Sequence, residues 1–222
     1  MAEPGDSTKE ASGYRWIVMS LFFLCMVTGF MVVSTIGILL PAIREDLQLT
    51  PGQQSVLGSA AFWGNITLTV PLSWWTSRFR PKPLTSVTLA MGVLVLFIQG
   101  WAPVFVVLLL GRLAFGIIMI AREPARALLI QQWFPPREII LANGIGNSMF
   151  GIVVGGGLLA TPFILDAVGD DWRRVLHVYG GLFLVLTLTW MALGRERAIP
   201  EQRQRGESWR AGTITRAAAH RD

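Results

Sequence analysis

The sequence predicts an all-α integral membrane protein, a bundle of six transmembrane helices. Six apolar stretches follow one another with polar breaks: Trp16–Leu40, Ser55–Trp75, Leu84–Trp101, Val104–Ala121, Ile145–Leu165 and Val175–Leu193. A bilayer core takes about 20 apolar helical residues to cross, and unpaired peptide groups do not survive there, so each stretch must satisfy its own hydrogen bonds as a helix. Of 222 residues, 52% are hydrophobic and 15% charged, and the charges gather in the two terminal segments and the short loops. A soluble domain would spread them over every amphipathic helix.

Charge placement sets the expected topology. One face would carry Lys9, Arg15, Arg78, Arg80, Lys82, Arg122, Arg126, Arg137 and seven arginines from Arg195 to Arg221; the other would carry only Arg44, Arg173 and Arg174. The positive-inside rule then puts both termini in the cytoplasm, as an even number of spans requires, and the plasma (inner) membrane is the expected location. Insertion into a bilayer accounts for the net charge of +5, so nucleic acid is not an expected partner. The expected division is a cytoplasmic tail over 1–14, a six-helix domain over 15–194, and a basic tail or the start of a central loop over 195–222.

The first span should end at Pro41, where a loop through Gly52 holds Arg44, Glu45 and Asp46. A short basic loop, Thr76–Pro83, follows the second span, and its prolines at 81 and 83 end one helix before the next begins. Between the third and fourth spans stand only Ala102 and Pro103, so these two must form a tight antiparallel hairpin. The fourth helix is expected to leave the membrane near Ala121 and run on to about Trp133, kinked where Pro124 deletes a backbone donor. The fifth should start near Ile139, and it carries Gly144, Gly146, Gly151, Gly155, Gly156 and Gly157; small residues let helix backbones approach closely in lipid. An acidic turn with Asp166, Asp170 and Asp171 leads through Trp172-Arg173-Arg174 into the sixth. Spans two and five each carry a late proline (Pro71, Pro162) followed by a basic stretch, on opposite sides of the membrane, as an inverted 3+3 repeat predicts.

The pattern from the second span to the sixth resembles the N-terminal half of a major facilitator superfamily transporter. Gly111-Arg112-Leu113-Ala114-Phe115-Gly116 is similar to that family's Arg-x-x-x-Gly signature. Trp133-Phe134-Pro135-Pro136-Arg137-Glu138, followed by Ala142-Asn143-Gly144-Ile145, resembles its loop into the fifth helix. The run Gly151-x-x-x-Gly155-Gly156-Gly157 with Pro162 resembles its glycine-rich fifth helix, and Trp172-Arg173 the start of its sixth. The likeness covers roughly 14–194 and implies half of a major facilitator fold, with Gly116, Gly151, Gly155, Gly156, Gly157 and Pro162 in helix packing. Two departures stand out. In the loop after the second helix, Ser73 and Ser77 stand where the family has Gly and Asp; Arg78 is kept and Arg80 replaces a second Gly. Ile139 stands where the family's next such loop carries an arginine. These groups form the family's cytoplasmic latch, so the gate set implied here (Ser73, Ser77, Arg78, Lys82, Glu123, Arg126) is altered or differently built.

Arg112 lies near the middle of its span, where an arginine costs about 2.5–3.5 kcal/mol on insertion scales and must face a cavity or partner. It is either an anion-attracting or proton-coupling group or a structural charge anchored by polar atoms of the first or fifth helix. Asn65 and Asn147 are placed to hydrogen-bond a solute or another helix, and Thr28 and Ser34 to line the same cavity or bond their own backbone. Glu123 is a gate acid, a proton site, or the partner of Arg122 or Arg126. His177 is read chiefly as a packing residue. Cys25 is the single cysteine. No metal-ligand spacing or P-loop appears, so no metal, cofactor or ATP-driven mechanism is expected. The expected function is not enzymatic: secondary active transport of a small solute, an organic or inorganic anion, by alternating access, with proton symport implied by the resemblance alone. The alternatives are a truncated or non-transporting membrane subunit that needs a second six-helix half or a homodimer, and an integral-membrane enzyme. The lipid bilayer is the one partner the residues themselves demand.

Overall fold

Hydrophobic length translates directly into helices. A computed structural model describes residues 6–134 and 138–195, with side chains described throughout these except at 6–12 and 64–67. The described residues form α1 (Asp6–Leu47), α2 (Pro51–Thr76), α3 (Pro81–Gly100), α4 (Phe105–Ala121), α5 (Glu123–Trp133), α6 (Ile139–Ala167) and α7 (Trp172–Leu193). Among the described residues five segments are long and apolar enough to cross a bilayer: Gly13–Leu47, Pro81–Gly100, Phe105–Trp133, Ile139–Ala167 and Trp172–Leu193. The 26 residues of α2 reach about 39 Å at 1.5 Å per residue, long enough for a sixth crossing. The chain is an integral membrane protein.

Local chemistry sets most helix ends. Thr50 caps α2 in a reciprocal box with Gln53, with Pro51 in the first turn. Pro81 opens α3, and the Asp171 carboxylate accepts from the Arg173 N–H at 2.9 Å to cap α7. The fourth span is two helices, because Pro124 brings no N–H to the ladder; the chain turns at Arg122 (φ −90°, ψ −16°) and resumes as α5. Pro41 does not end the first helix. The helix continues to Leu47 and closes at Gln48 (φ 51°), where the Leu49 N–H donates to the Arg44 carbonyl at 3.1 Å. A proline inside a helix leaves the carbonyl one turn earlier without its N–H partner, a loss that is smaller where that carbonyl can meet water. That carbonyl belongs to Gly37, which with Pro41 lines an open recess of about 490 Å³. Helix α1 begins at Asp6, inside the segment expected as the N-terminal tail.

The most extensive pairings are α2 with α4, α1 with α6, and α3 with α7, followed by α3 with α4 and α1 with α7. Exchanging the first three spans for the last three turns α2–α4 into α6–α1 and α3–α4 into α7–α1, and maps α3–α7 onto itself. This is the contact signature of an inverted 3+3 repeat. The first helix is the buried axis, with Phe22, Cys25, Val32, Leu39 and Ile43 fully covered. By contrast, α6 buries only Ala142, Gly146 and Thr161 and leaves Ile140, Ile152, Leu159 and Phe163 exposed. Such an apolar exterior is stable only against lipid or another helix.

Between lipid-facing helices no hydrophobic force remains, so contact distance decides association. At Gly116 a Cβ would lie 2.1 Å from the Ala61 carbonyl oxygen, a backbone atom that cannot rotate away; at Gly157 it would meet Met31 Sδ, also at 2.1 Å. Gly151, Gly155 and Gly156 have open space where a side chain would go. Gly116→Ala is therefore expected to force α2 from α4 and destabilise the bundle by about 1–3 kcal/mol. Gly151→Ala should leave its melting point unchanged or slightly raised. Thermal unfolding of the purified chain in detergent distinguishes the two.

Candidate functional site

Charge at membrane depth defines the site. Among the described residues the buried charged side chains are Arg112 and Arg122, and no aspartate or glutamate is buried. Arg112 projects from α4 onto α1, where Nη2 donates to the Val33 carbonyl at 2.9 Å; Nε and Nη1 are buried without a partner. A helical carbonyl keeps a second lone pair, so this bond leaves the first helix intact. Nearby on the α3–α4 hairpin, fully buried Gln99 donates from Nε2 to the Gly111 carbonyl at 3.2 Å.

Arg122 lies at the α4–α5 break and is 1% exposed. Hydropathy alone places it among the solvent-facing cations, because the apolar run stops at Ala121. The signal that would have found it is the continuation Ala127-Leu128-Leu129-Ile130, which carries the span through the break to Trp133.

Toward α6 the first helix borders a recess of about 230 Å³, lined among others by Glu123, Arg126, Asn147, Phe23, Phe30 and Phe150. Phe30 and Phe150 meet edge to face, with ring centres 5.5 Å apart. Glu123 and Arg126 pair across one turn of α5 at 3.3 Å, both partly exposed, and Asn147 is exposed on α6. The fold thus gathers three sequence candidates from two helices into one recess. Thr28 is buried and Ser34 half-buried on α1, and neither lines it. The side chain of Asn65 lies outside the described residues. In the segment around the α2–α3 turn, Arg78 stacks on Trp74 at 3.9 Å and the Ser77 hydroxyl donates to the Trp74 carbonyl. Ser73 is half-buried one turn before Ser77, and Lys82 lies in the first turn of α3. His177 packs between Phe97 and Trp101, with ring centres 5.8 and 5.7 Å away. No group of three or more metal-ligating side chains occurs among the described residues.

Both ends of the bundle are tied across the repeat. At the end where α1 starts and α7 finishes, Arg15 pairs with Glu138 at 2.9 Å, and Trp133 Nε1 donates to the Arg195 carbonyl at 3.2 Å. At the far end Asp46 accepts from Arg173 at 2.6 Å and from Trp172 Nε1 at 3.2 Å. Arg173 also donates to the Ala102 carbonyl at 3.2 Å. One carboxylate thus joins α1 to α7, and the arginine extends the tie to the α3–α4 turn. Sequence reading singles out Trp172-Arg173 but not Asp46, since nothing local relates residues 126 positions apart. Asp46→Ala should cost about 1 kcal/mol, because it takes the acceptor from the indole N–H of buried Trp172 and breaks a partly exposed ion pair. Arg174→Ala, which removes only an exposed i,i+3 pair with Asp171, should cost less than about 0.5 kcal/mol. Melting curves of the two variants side by side check this.

Comparison with known proteins agrees with this arrangement. The chain is 26% identical over 196 residues to the "Probable galactarate/D-glucarate transporter GarP" of Escherichia coli (strain K12), a match covering 85% of this chain and 43% of the relative. It is 28% identical over 187 residues to the galacturonate transporter of Dickeya chrysanthemi, covering 82% and 52%. The chain spans about half the length of these curated relatives. Its fold matches the inward-facing, unoccupied crystal structure of a bacterial homolog of the human lysosomal transporter Spinster, with a TM-score of 0.67 at 22% identity, covering 83% of this chain and 44% of that one. The sequence pattern of the Major Facilitator Superfamily matches residues 22–220, nearly the whole chain, and the chain belongs to that superfamily of membrane transporters.

Proposed function

We propose that this six-helix unit is the N-terminal half of a secondary transporter for a small organic anion, working by alternating access with a second six-helix half. The observation that carries the reading is the sign of the buried charge: two arginines and no acid among the described residues. An interior with that imbalance attracts anions, and removing water from a cation strengthens its hold on a carboxylate. The recess between α1, α5 and α6 supplies Arg126 and Asn147 as polar contacts and three phenylalanines as walls, a mix typical of small-molecule sites. Two relatives bear the names of sugar-acid transporters, which makes sugar acids the first solutes to test. Proton symport fits Glu123 as the exchangeable acid, and the basic loops favour cytoplasmic termini in the plasma (inner) membrane. The α2–α3 turn, with Ser73, Ser77, Arg78 and Lys82, would face the cytoplasm as a gate.

Proteoliposomes holding the chain, alone and with a second half supplied, test this with labelled D-glucarate. Saturable uptake that rises as the outside is acidified is expected when both halves are present, and Arg112→Ala should lower it at least tenfold. Uptake no greater than that of empty liposomes under every pairing would rule the proposal out.

A further inference from the structure

The turn from α2 to α3 carries a patch that the solute recess does not use. Between Trp74 and Lys82 stand three cations (Arg78, Arg80, Lys82) and three large aromatics (Trp74, Trp75, Phe79), and no acid occurs from Leu47 to Arg122. Trp74 is 66% exposed, Trp75 54% and Phe79 45%, so the rings lie open at the end of the bundle. Hydrogen bonds at the helix end hold this display in place. The Ser77 N–H donates to the Ser73 carbonyl at 2.9 Å, and the Ser77 hydroxyl to the Trp74 carbonyl at 2.8 Å. Thr76, between the two groups, is buried and bonds the Leu72 carbonyl.

The rings are paired rather than scattered. Trp75 meets Phe79 edge to face with centres 5.2 Å apart, and the Arg78 guanidinium lies over Trp74 at 3.9 Å. Stacking covers one face of the guanidinium and leaves its N–H edge, the fork that matches two oxygens of a phosphate. Other arginines lie over rings too, but Arg15 and Arg173 also engage Glu138 and Asp46. Arg78 forms no ion pair among the described residues. Glu123 on α5 and Glu138 before α6 are the described acids toward this end, and each holds another arginine. An exposed cationic edge backed by indole, where a span leaves the hydrocarbon, stands at the depth of lipid headgroups.

We propose that Arg78 and Trp74 form a binding site for the headgroup phosphate of an anionic phospholipid. Trp75 and Phe79 sit against the first acyl carbons, and Arg80 and Lys82 add positive charge beside the phosphate. A lipid fits this patch because the open rings need an apolar contact directly beside the anion, which a dissolved phosphate does not bring. The site is independent of the organic-anion reading, and neither needs the other.

Native mass spectrometry of the full chain in detergent micelles tests this. The probes are phosphatidylglycerol, phosphatidylcholine with the same acyl chains, and glycerol 3-phosphate as a headgroup without a tail. Wild type should retain one phosphatidylglycerol at about fivefold lower concentration than phosphatidylcholine, the effect of one cation at an anionic surface. Glycerol 3-phosphate should not displace it. Arg78→Gln should reduce the preference to about twofold or less. Trp74→Leu keeps apolar bulk but removes the stacking face, and should weaken the preference by about twofold or more. Arg44→Gln removes an equal charge from the last turn of α1 at the opposite membrane surface, and should leave the preference unchanged. All three side chains are exposed, so the melting points should match that of wild type. Equal retention of the two lipids by wild type overturns the proposal. So does an Arg78→Gln protein that keeps the full preference, while displacement by glycerol 3-phosphate would make the site one for soluble phosphates instead.

Discussion

In lipid, two helices gain little by leaving the solvent, so the bundle depends on how closely their backbones can approach. That closeness is set by missing side chains. Gly116 lets α4 lie against the Ala61 carbonyl of α2, Gly157 lets α6 close over Met31 of α1, and Gly146 accepts the ring of Phe23 where a Cβ would lie 2.3 Å from it. The α2–α4 and α1–α6 contacts are the same contact seen twice under the repeat, so both three-helix units are fastened by one device. The first helix, enclosed by α2, α4, α5, α6 and α7, becomes the axis on which the rest is assembled.

Tight assembly has an electrostatic consequence. Once α1 and α4 are in contact, the guanidiniums at 112 and 122 have no route to water, and each must be met from within the protein or by something it binds. Arg112 finds the second lone pair of a helical carbonyl. Arg122 finds the space above Gly29 and no acceptor for Nε or Nη2. The same close packing that holds the bundle thus leaves a positive interior beside a recess open on its α6 side.

The polar ties lie at the two ends, where the dielectric is high enough for ion pairs to form without a large desolvation cost. Arg15–Glu138 and Asp46–Arg173 each join the first three-helix unit to the second, so the two units are fixed to one another at both membrane surfaces. Between those ties, Tyr179 and Thr161 share a hydrogen bond of 2.7 Å beside Pro162, where the ladder of α6 lacks a donor. The middle of the half is held by shape and by a few such bonds, its ends by charge.

Much of this architecture was legible in the residues. Hydropathy gave the spans, because a bilayer demands about 20 apolar residues whatever their neighbours are. Pro124 gave the break, since a missing donor is a local fact, and the depth of Arg112 could be counted along its helix. What the sequence alone could not decide is direction. Gly151 and Gly157 read alike, but one faces open space and the other a methionine, because rotation of α6 about its axis is set by its contact with α1. Arg122 reads as a loop cation until α5 carries the same span on past the break. Asp46 and Arg173 meet only because the inverted repeat returns the chain to the same membrane surface. The sequence determined which segments enter the lipid; tertiary packing decided which faces meet, because that choice rests on contacts between residues far apart in the chain.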